Sequence, residues 1–433
     1  MSENTEKNVE MENIVSLAKR RGFIYPGSDA YGGLSGTWDY GPLGVALKRN
    51  VMQLWWKMFV DDRDDMYGVD AAILMNKKVW EASGHTATFT DPLVECSNCH
   101  GRFRADKIDI SKCPTCGKEN TFSEARQFNM MFKTHVGAVE DDTSISYLRP
   151  ETAQGIFINF KNVIDTFYPD LPFGLAQQGK AFRNEISPRD FIFRSREFEQ
   201  MEIEYFVEPD KWEISFNALL ADTHAFLNAL GLPQDKIHEL EVPAEDRAHY
   251  SKRTIDIEYD FPIGKEELMG IAYRTDFDLM NIQNNAGKSM EYTIKGTNTK
   301  FIPHVIEPSF GVERAVMAVM AAAYTEDEVN GEKRIVMKFP EHLAPVKYCV
   351  SPLLKNKPEL VEKAREVYQI LKKKRGNVMW DDNGNIGKRY RRQDEIGTPY
   401  CVVVDFDSLE DNSVTIRDRD TTEQRRVAVA DLA

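Results

Sequence analysis

Two hydrophobic periods run through the chain. Between 44 and 60 (GVALKRNVMQLWWKMFV) apolar residues recur every three or four positions behind Pro42, which predicts a long amphipathic helix. Trp55 and Trp56 on it are expected in the core or at a subunit contact. A first helix is expected from about Met11, after a polar, frayed stretch over 1–12. Helical spacing returns over 152–167 and 212–230, while short apolar runs at 71–75, 174–178, 202–207 and 305–308 predict strands. Helices and strands mix without regular alternation, the pattern of an α+β body.

Near Phe339-Pro340 the pattern changes. Strands at 346–350, 378–380 and 400–405 and a helix over 358–374 predict a small α/β domain of βαβ type across 341–433, following a body across 1–340. A chain of 433 residues exceeds what one core usually serves, so two or more domains agree with its length. No apolar run approaches the roughly 20 residues needed to cross a bilayer, and the N-terminus (MSENTEKNVEMEN) lacks an apolar secretory segment. A cytoplasmic protein without a membrane partner is expected.

The formal charge of −14 argues against a simple DNA-binding module, whose affinity would rest on neutralising phosphates. That charge is unevenly placed. Residues 341–433 hold 17 Lys+Arg against 16 Asp+Glu, so the acidity belongs to the body. Four of the six cysteines form two CxxC pairs, Cys96/Cys99 and Cys113/Cys116, thirteen residues apart. Each pair can present two thiolates from one turn, and two turns complete the closed tetrahedral S4 shell of structural Zn2+. A zinc knuckle inserted at about 94–118 is expected, with Cys349 and Cys401 standing alone.

Two further stretches concentrate charge on apolar frames. In GKAFRNEISPRDFIFRSREFEQMEIEYF (179–206), strand-like ends flank a loop at Ser187–Asp190, and Arg183 and Glu185 are expected to share one strand face. A solvated sheet face does not account for so many Arg and Glu on one hairpin. Arginine suits phosphate through its bidentate fork, and carboxylates suit an amine. In EPSFGVERAVMAVM (307–320), Pro308 and Gly311 are expected to end a strand and Gly311 to open a helix with Arg314 in its first turn. A cation there is disfavoured by the helix dipole unless an anion joins it.

FRNE with REF in the first stretch and GVER in the second resemble motifs 2 and 3 of class II aminoacyl-tRNA synthetases. With RPETAQGIF (149–157), MEIEYF (201–206), GIAYRTDFDL (270–279) and EPSFGVERA (307–315), the chain resembles the single-chain, homodimeric glycyl-tRNA synthetase family over roughly 20–430. It departs from the family pattern at Lys77 and at Lys265-Glu266, the latter expected to alter a loop near ATP.

The resemblance implies an α+β class II catalytic domain with an antiparallel sheet, then an anticodon-binding domain. It implies that glycine and ATP form glycyl-adenylate, and that glycine then passes to the 3′ end of tRNA(Gly). Arg183, Glu185 and Arg314 are the implied catalytic residues. Arg183 would meet the α-phosphate, Phe198 would stack on adenine, and Arg314 would meet the far phosphates or the other adenine face. Asn184, Phe193, Arg194, Glu267, Leu268 and Gly311 complete the implied ATP site. Glu267 and Glu307 are candidates for Mg2+, which takes carboxylate and phosphate oxygens. Arg104, Glu151, Glu202, Glu307 and Ser309 are implied around glycine, which has no side chain to grip and must be selected by excluding larger ones. In the tail, KKKRG (372–376) and GKRYRRQDEIG (387–397), with Tyr390 for stacking, are implied to meet RNA.

Overall fold

The computed structural model describes residues 2–248, 250–329 and 331–432, with side chains from residue 11 onward. Its centre is a seven-stranded sheet built from β1 (Met66–Gly68), β2 (Phe173–Phe182), β3 (Glu197–Val207), β4 (Ile237–Glu241), β5 (Arg253–Phe261), β6 (Gly264–Thr275) and β7 (His304–Gly311). The strand order is β4-β5-β6-β7-β3-β2-β1. All pairings are antiparallel except β1 with β2.

Helices cover both faces: α1 (Ser2–Arg21), α2 (Pro42–Trp56), α3 (Ala153–Phe167), α4 (Trp212–Ala229), α5 (Phe277–Ala286) and α6 (Val312–Ala323). In α2, Pro42 at the first turn and Leu43, Leu47, Val51 and Trp55 at four-residue spacing form one buried stripe. Gly44 allows the helix backbone to rest on the Phe23 carbonyl, where any Cβ would collide. Residues Met201, Ile203 and Tyr205 of β3 join the large core shared with α2, α4 and α6. The even-numbered residues point the other way, so Phe206 packs with Phe160 of α3 in a second core. Gln200, Glu202 and Glu204 share that second face.

Several expectations change. The start of the chain is helical from Ser2. Residues 71–75 are no strand: Ala71 gives its carbonyl to Arg149 Nη1 (2.7 Å), and only Leu74 forms an isolated bridge. Pro308 lies inside β7 and does not end it, whereas Gly311 ends the strand and opens α6 as expected. Trp55 is buried within this one chain, so the α2 stripe gives no ground for a subunit contact. Lys77 opens a short helix (Lys77–Ala82), and Lys265 and Glu266 lie within β6, where Lys265 pairs with Glu258 at 2.9 Å.

The tail has its own mixed sheet and core. Its elements are β8 (Tyr348–Pro352), α7 (Pro358–Arg375), β9 (Val378–Trp380), α8 (Ile386–Ile396), β10 (Tyr400–Val404), β11 (Ser413–Asp418) and β12 (Gln424–Ala428). The order is β9-β8-β10-β11-β12, with β8 parallel to both neighbours. Cys349 and Cys401, expected to stand alone, are register partners on β8 and β10. Arg389 in the expected RNA stretch is buried on the carbonyls of Pro352, Asp382 and Gly384, so it stabilises the fold.

Asp394 of α8 docks the tail onto the body. Its carboxylate is wholly buried and accepts from Arg417 (2.8 and 3.1 Å) and from Arg334 (3.2 Å) on the hairpin Tyr324–Val329/Glu332–Met337. Arg419 extends the seam to the carbonyls of Gly397 and Phe339, both at 2.9 Å. Removing the shared anion would leave the buried Arg417 guanidinium without a carboxylate and Arg334 with Asp327 alone. Asp394→Ala is therefore expected to lose about 3–5 kcal/mol in urea unfolding, and a loss below about 1 kcal/mol would contradict this account.

Candidate active site

A single cavity of about 480 Å3 opens on the α3 side of the sheet, over β3, β6 and β7. Its walls include Arg104, Glu151, Arg183, Glu185, Phe193, Arg194, Phe198, Glu202, Glu267, Leu268, Glu307, Ser309, Gly311 and Arg314. The structure thus gathers all but one of the implied substrate residues. Asn184 lies outside the lining, where its backbone N–H donates to Met130 O at 2.7 Å.

One end is acidic and closed. Glu202 Oε2 accepts from Thr152 Oγ1 (2.5 Å), and its Oε1 accepts from Ser309 Oγ (2.8 Å). Glu307 Oε1 accepts from Arg274 Nη1 at 2.7 Å. The same guanidinium clamps Asp278 through Nε (2.8 Å) and Nη2 (3.0 Å). Glu151 Oε2 lies 3.3 Å from His85 Nε2, and the His85 Nδ1 is 2.8 Å from Ser83 Oγ.

The carboxyl groups here are driven apart by their surroundings. Burial raises Glu202, and the charge of Glu151 adds to the rise. Burial raises Glu307 against the opposing pull of Arg274, whose Nη1–H it accepts, with Glu202 and Glu151 reinforcing the rise. Burial would also raise Glu151, yet His85, then Arg274 and Arg183, hold it at about 2. The result is a concentrated, oriented set of acceptors suited to a small cation.

The other end carries cations and rings. Arg183 donates from Nε to Pro150 O (3.1 Å), and its guanidinium lies 5.3 Å from the centre of the Phe198 ring. Arg314 follows Gly311, which caps α6, and lies 4.5 Å from the Phe193 ring centre. It is tethered by Glu267, through the carbonyl at 2.8 Å and the carboxylate at 3.2 Å. Arg194 approaches Glu185 at 3.5 Å. Between the ends runs an open path floored by β3 and β7.

Three expected placements differ. Arg183 and Glu185 lie in the loop after β2, because the strand ends at Phe182. Arg104, expected near the amino acid, pairs with Asp91 (2.9 Å) and Asp106 (2.8 Å) and couples to Glu185, so it stands at the cationic end. Glu267 and Glu307 cannot share one Mg2+. Ala272 is opposite Glu307 in register, and Glu267 is five residues further along β6, about 16 Å away at strand rise. Glu307 belongs to the acidic end alone.

The crowded arginines of the hairpin also divide. Arg196 is used within the fold, donating to the carbonyls of Ser35 (2.8 Å) and Glu185 (3.0 and 3.2 Å). Sequence reasoning quoted Arg274 and Asp278 within a motif but gave them no role. It also missed Glu313, whose Oε2 accepts the Glu199 N–H (2.8 Å) beside Phe198 and which burial raises to about 7. Arg274 and Asp278, four apart, carry a charge-pair signal, but they straddle a strand–helix junction, so no single period links them.

The four cysteine sulfurs lie within 4.8 Å of one another, with Cys96–Cys116 at 3.8 Å and Cys99–Cys113 at 3.6 Å. A tetrahedron of thiolates bonded at about 2.3 Å to one metal has edges of about 3.8 Å. These residues therefore fit one metal ion. The cluster extends a three-stranded sheet of Thr90–Glu95, Arg102–Arg104 and Arg126–Asn129, which also carries Arg104 to the cavity. Ser187 of the 183–196 loop donates to Arg102 O at 3.1 Å.

Comparison with known proteins supplies the family. Residues 132–323 match the tRNA synthetase class II core domain (G, H, P, S and T), and residues 347–433 match the anticodon binding domain. The solved prolyl-tRNA synthetase of Cryptosporidium parvum, complexed with halofuginone and AMPPNP, shares the fold with a TM-score of 0.67 at 16% identity, over 97% of this chain and 73% of that one. A glycine–tRNA ligase of Thermobifida fusca is 49% identical over 98% of this chain and 96% of its own. Those of Clostridium kluyveri and Clostridium acetobutylicum are each 50% identical, over 98% of this chain and 96% and 97% of theirs. With identity of this order along almost its entire length, the chain belongs to the glycine–tRNA ligase family of class II tRNA synthetases.

Proposed function

We propose that this chain activates glycine with ATP and transfers it to the 3′ end of tRNA(Gly). The observation that carries this is one cavity whose acidic end, formed by Glu151, Glu202, Glu307 and Ser309, lies opposite an arginine and aromatic end formed by Arg183, Phe198 and Arg314. Glycine's ammonium joins the carboxylates, and its carboxylate then points along the open path. An oxygen of that carboxylate attacks the α-phosphorus, forming one P–O bond as the bond to the departing pyrophosphate breaks. No base is required, because the attacking group is already ionised at neutral pH. Arg183 meets the charge growing on the α-phosphate and Phe198 supports adenine, as Arg314 draws the pyrophosphate side. In the second step a hydroxyl of the terminal tRNA ribose attacks the glycyl carbonyl and AMP leaves.

Glu267, half-exposed beside Arg314, is the carboxylate placed for Mg2+, which would shield phosphate charge when bound. The four cysteines would hold Zn2+ with no open position, fixing the sheet that presents Arg104. Residues 1–340 form the catalytic part in this scheme, and 341–433 the part that meets the anticodon. There Lys388, Arg391 and Arg392 of α8 line a groove with Tyr390, whose ring lies 4.8 Å from the Arg417 guanidinium. We further infer a cytoplasmic homodimer, from the family resemblance; none of the helices is long and apolar enough to cross a membrane among the described residues.

Glycine-dependent exchange of pyrophosphate into ATP is the deciding measurement. Exchange with glycine and not with alanine, serine or proline is expected, and the opposite preference would refute the substrate. Arg314→Ala is expected to lower kcat/KM for ATP by about 10²–10³-fold with unchanged circular dichroism. Near-normal exchange would remove its role. Elemental analysis should find one zinc per chain, lost on replacing Cys113 and Cys116 together by Ser; zinc retained in that variant would exclude the four-sulfur site.

A further inference from the structure

Beneath the acidic end lies a group with no task so far. Glu204 sits two residues along β3 from Glu202, on the same face and one row deeper. Its exposure is 0%, and neither carboxylate oxygen meets a hydrogen-bond partner among the described residues. The β3–β7 pairing runs from Glu202↔Ser309 and resumes at Tyr205↔Ile306, which sets Glu204 opposite Glu307. The interruption coincides with Pro308, which has no N–H for the ladder.

The charged groups around Glu204 are Glu307 on β7, Glu202 on β3, Asp278 on α5 and Arg274 on β6. Glu151, His85 and Tyr250 lie around the acidic end, and Gln154 of α3 donates to Asp278 at 2.9 Å. Arg274 already engages Asp278 and Glu307. An ionised Glu204 would combine full desolvation, no donor and three neighbouring carboxylates. A neutral acid removes that charge and supplies an O–H that needs only one acceptor. Burial first, then the charge of Glu307, raises Glu204 well above the carboxylate range despite Arg274.

We propose that Glu204 is a positioning residue of the amine pocket, a neutral acid that donates its O–H to Glu307 and, with Arg274, holds that carboxylate toward the substrate ammonium. The proposal rests on the acidic end being the amine site. Glu307 is then fixed from two sides, by a cation and by a neutral donor. The pocket keeps its acceptors while one uncompensated charge is removed from the core.

Two replacements separate the donor from the volume it fills. Glu204→Gln retains shape and an N–H donor, whereas Glu204→Leu retains bulk alone. In pyrophosphate exchange, E204Q is expected to keep the glycine KM within about twofold, and E204L to raise it about tenfold or more, with the ATP KM moving less than about twofold in both. A parental glycine KM in E204L would make Glu204 mere filler and overturn the proposal. So would E204Q being as impaired as E204L, since an ionised carboxylate would then be required. Difference infrared spectroscopy in water and D2O reads the proton independently of catalysis. At neutral pH the parent should show a protonated carboxylic acid band that E204Q lacks; a parent without that band ends the proposal even if E204L does not fold. Absence of glycine exchange in the parent, with the band present, would instead reject the amine-site assignment.

Discussion

Everything at the acidic end depends on one buried guanidinium. Glu202 and Glu204 on β3, Glu307 on β7, Asp278 on α5 and Glu151 ahead of α3 converge on one largely buried region. Unopposed, such a set would either take up protons or spread the sheet and helices apart. Arg274 opposes that by joining α5 to β7, with two bonds to Asp278 and one to Glu307. Its planar fork matters, because a lysine ammonium could not reproduce the paired bonds to Asp278 together with the one to Glu307.

The opposite end of the cavity is built by different means. Its cations are held by backbone carbonyls and aromatic faces: Arg183 by Pro150 O and Phe198, Arg314 by Glu267 O and Phe193. Arg183 is oriented in this way with no carboxylate ion pair among the described residues, whereas Arg314 also meets the Glu267 carboxylate at 3.2 Å. The cysteine cluster contributes through the same logic, since the sheet it extends delivers Arg104, and Ser187 ties that sheet to the 183–196 loop. The four-cysteine cluster is thus tied through this sheet to the cationic end of the cavity.

The net charge of −14 takes on a different meaning once the residues are placed. Part of the acidity is an oriented set of acceptors, and part is consumed inside the molecule, as in Asp394 between Arg334 and Arg417. Basic residues of the tail are likewise split. Arg389 serves the fold, and Lys388, Arg391 and Arg392 line the groove. Bulk charge argues about nonspecific attraction to nucleic acid, while a specific RNA substrate depends on where a few cations stand.

The sequence by itself determined the helices at α2, α3, α4 and α7 and the long strands β2, β3 and β7, because hydrophobic period is a local property. It also determined the four-cysteine cluster, since two CxxC turns carry their own geometry, and most residues of the cavity, through motifs at fixed spacing. Only the tertiary structure decided that 71–75 is not a strand, where a buried arginine takes the backbone carbonyl that a ladder would need. It separated Glu267 from Glu307, set Cys349 beside Cys401, packed Arg274, Asp278 and the buried Glu204 around Glu307, and brought Glu313 to the Glu199 N–H. Apart from the Arg274–Asp278 pair, these contacts join positions from about thirty to more than a hundred apart, and strand register and side-chain burial, which set such partners, are properties of the assembled chain.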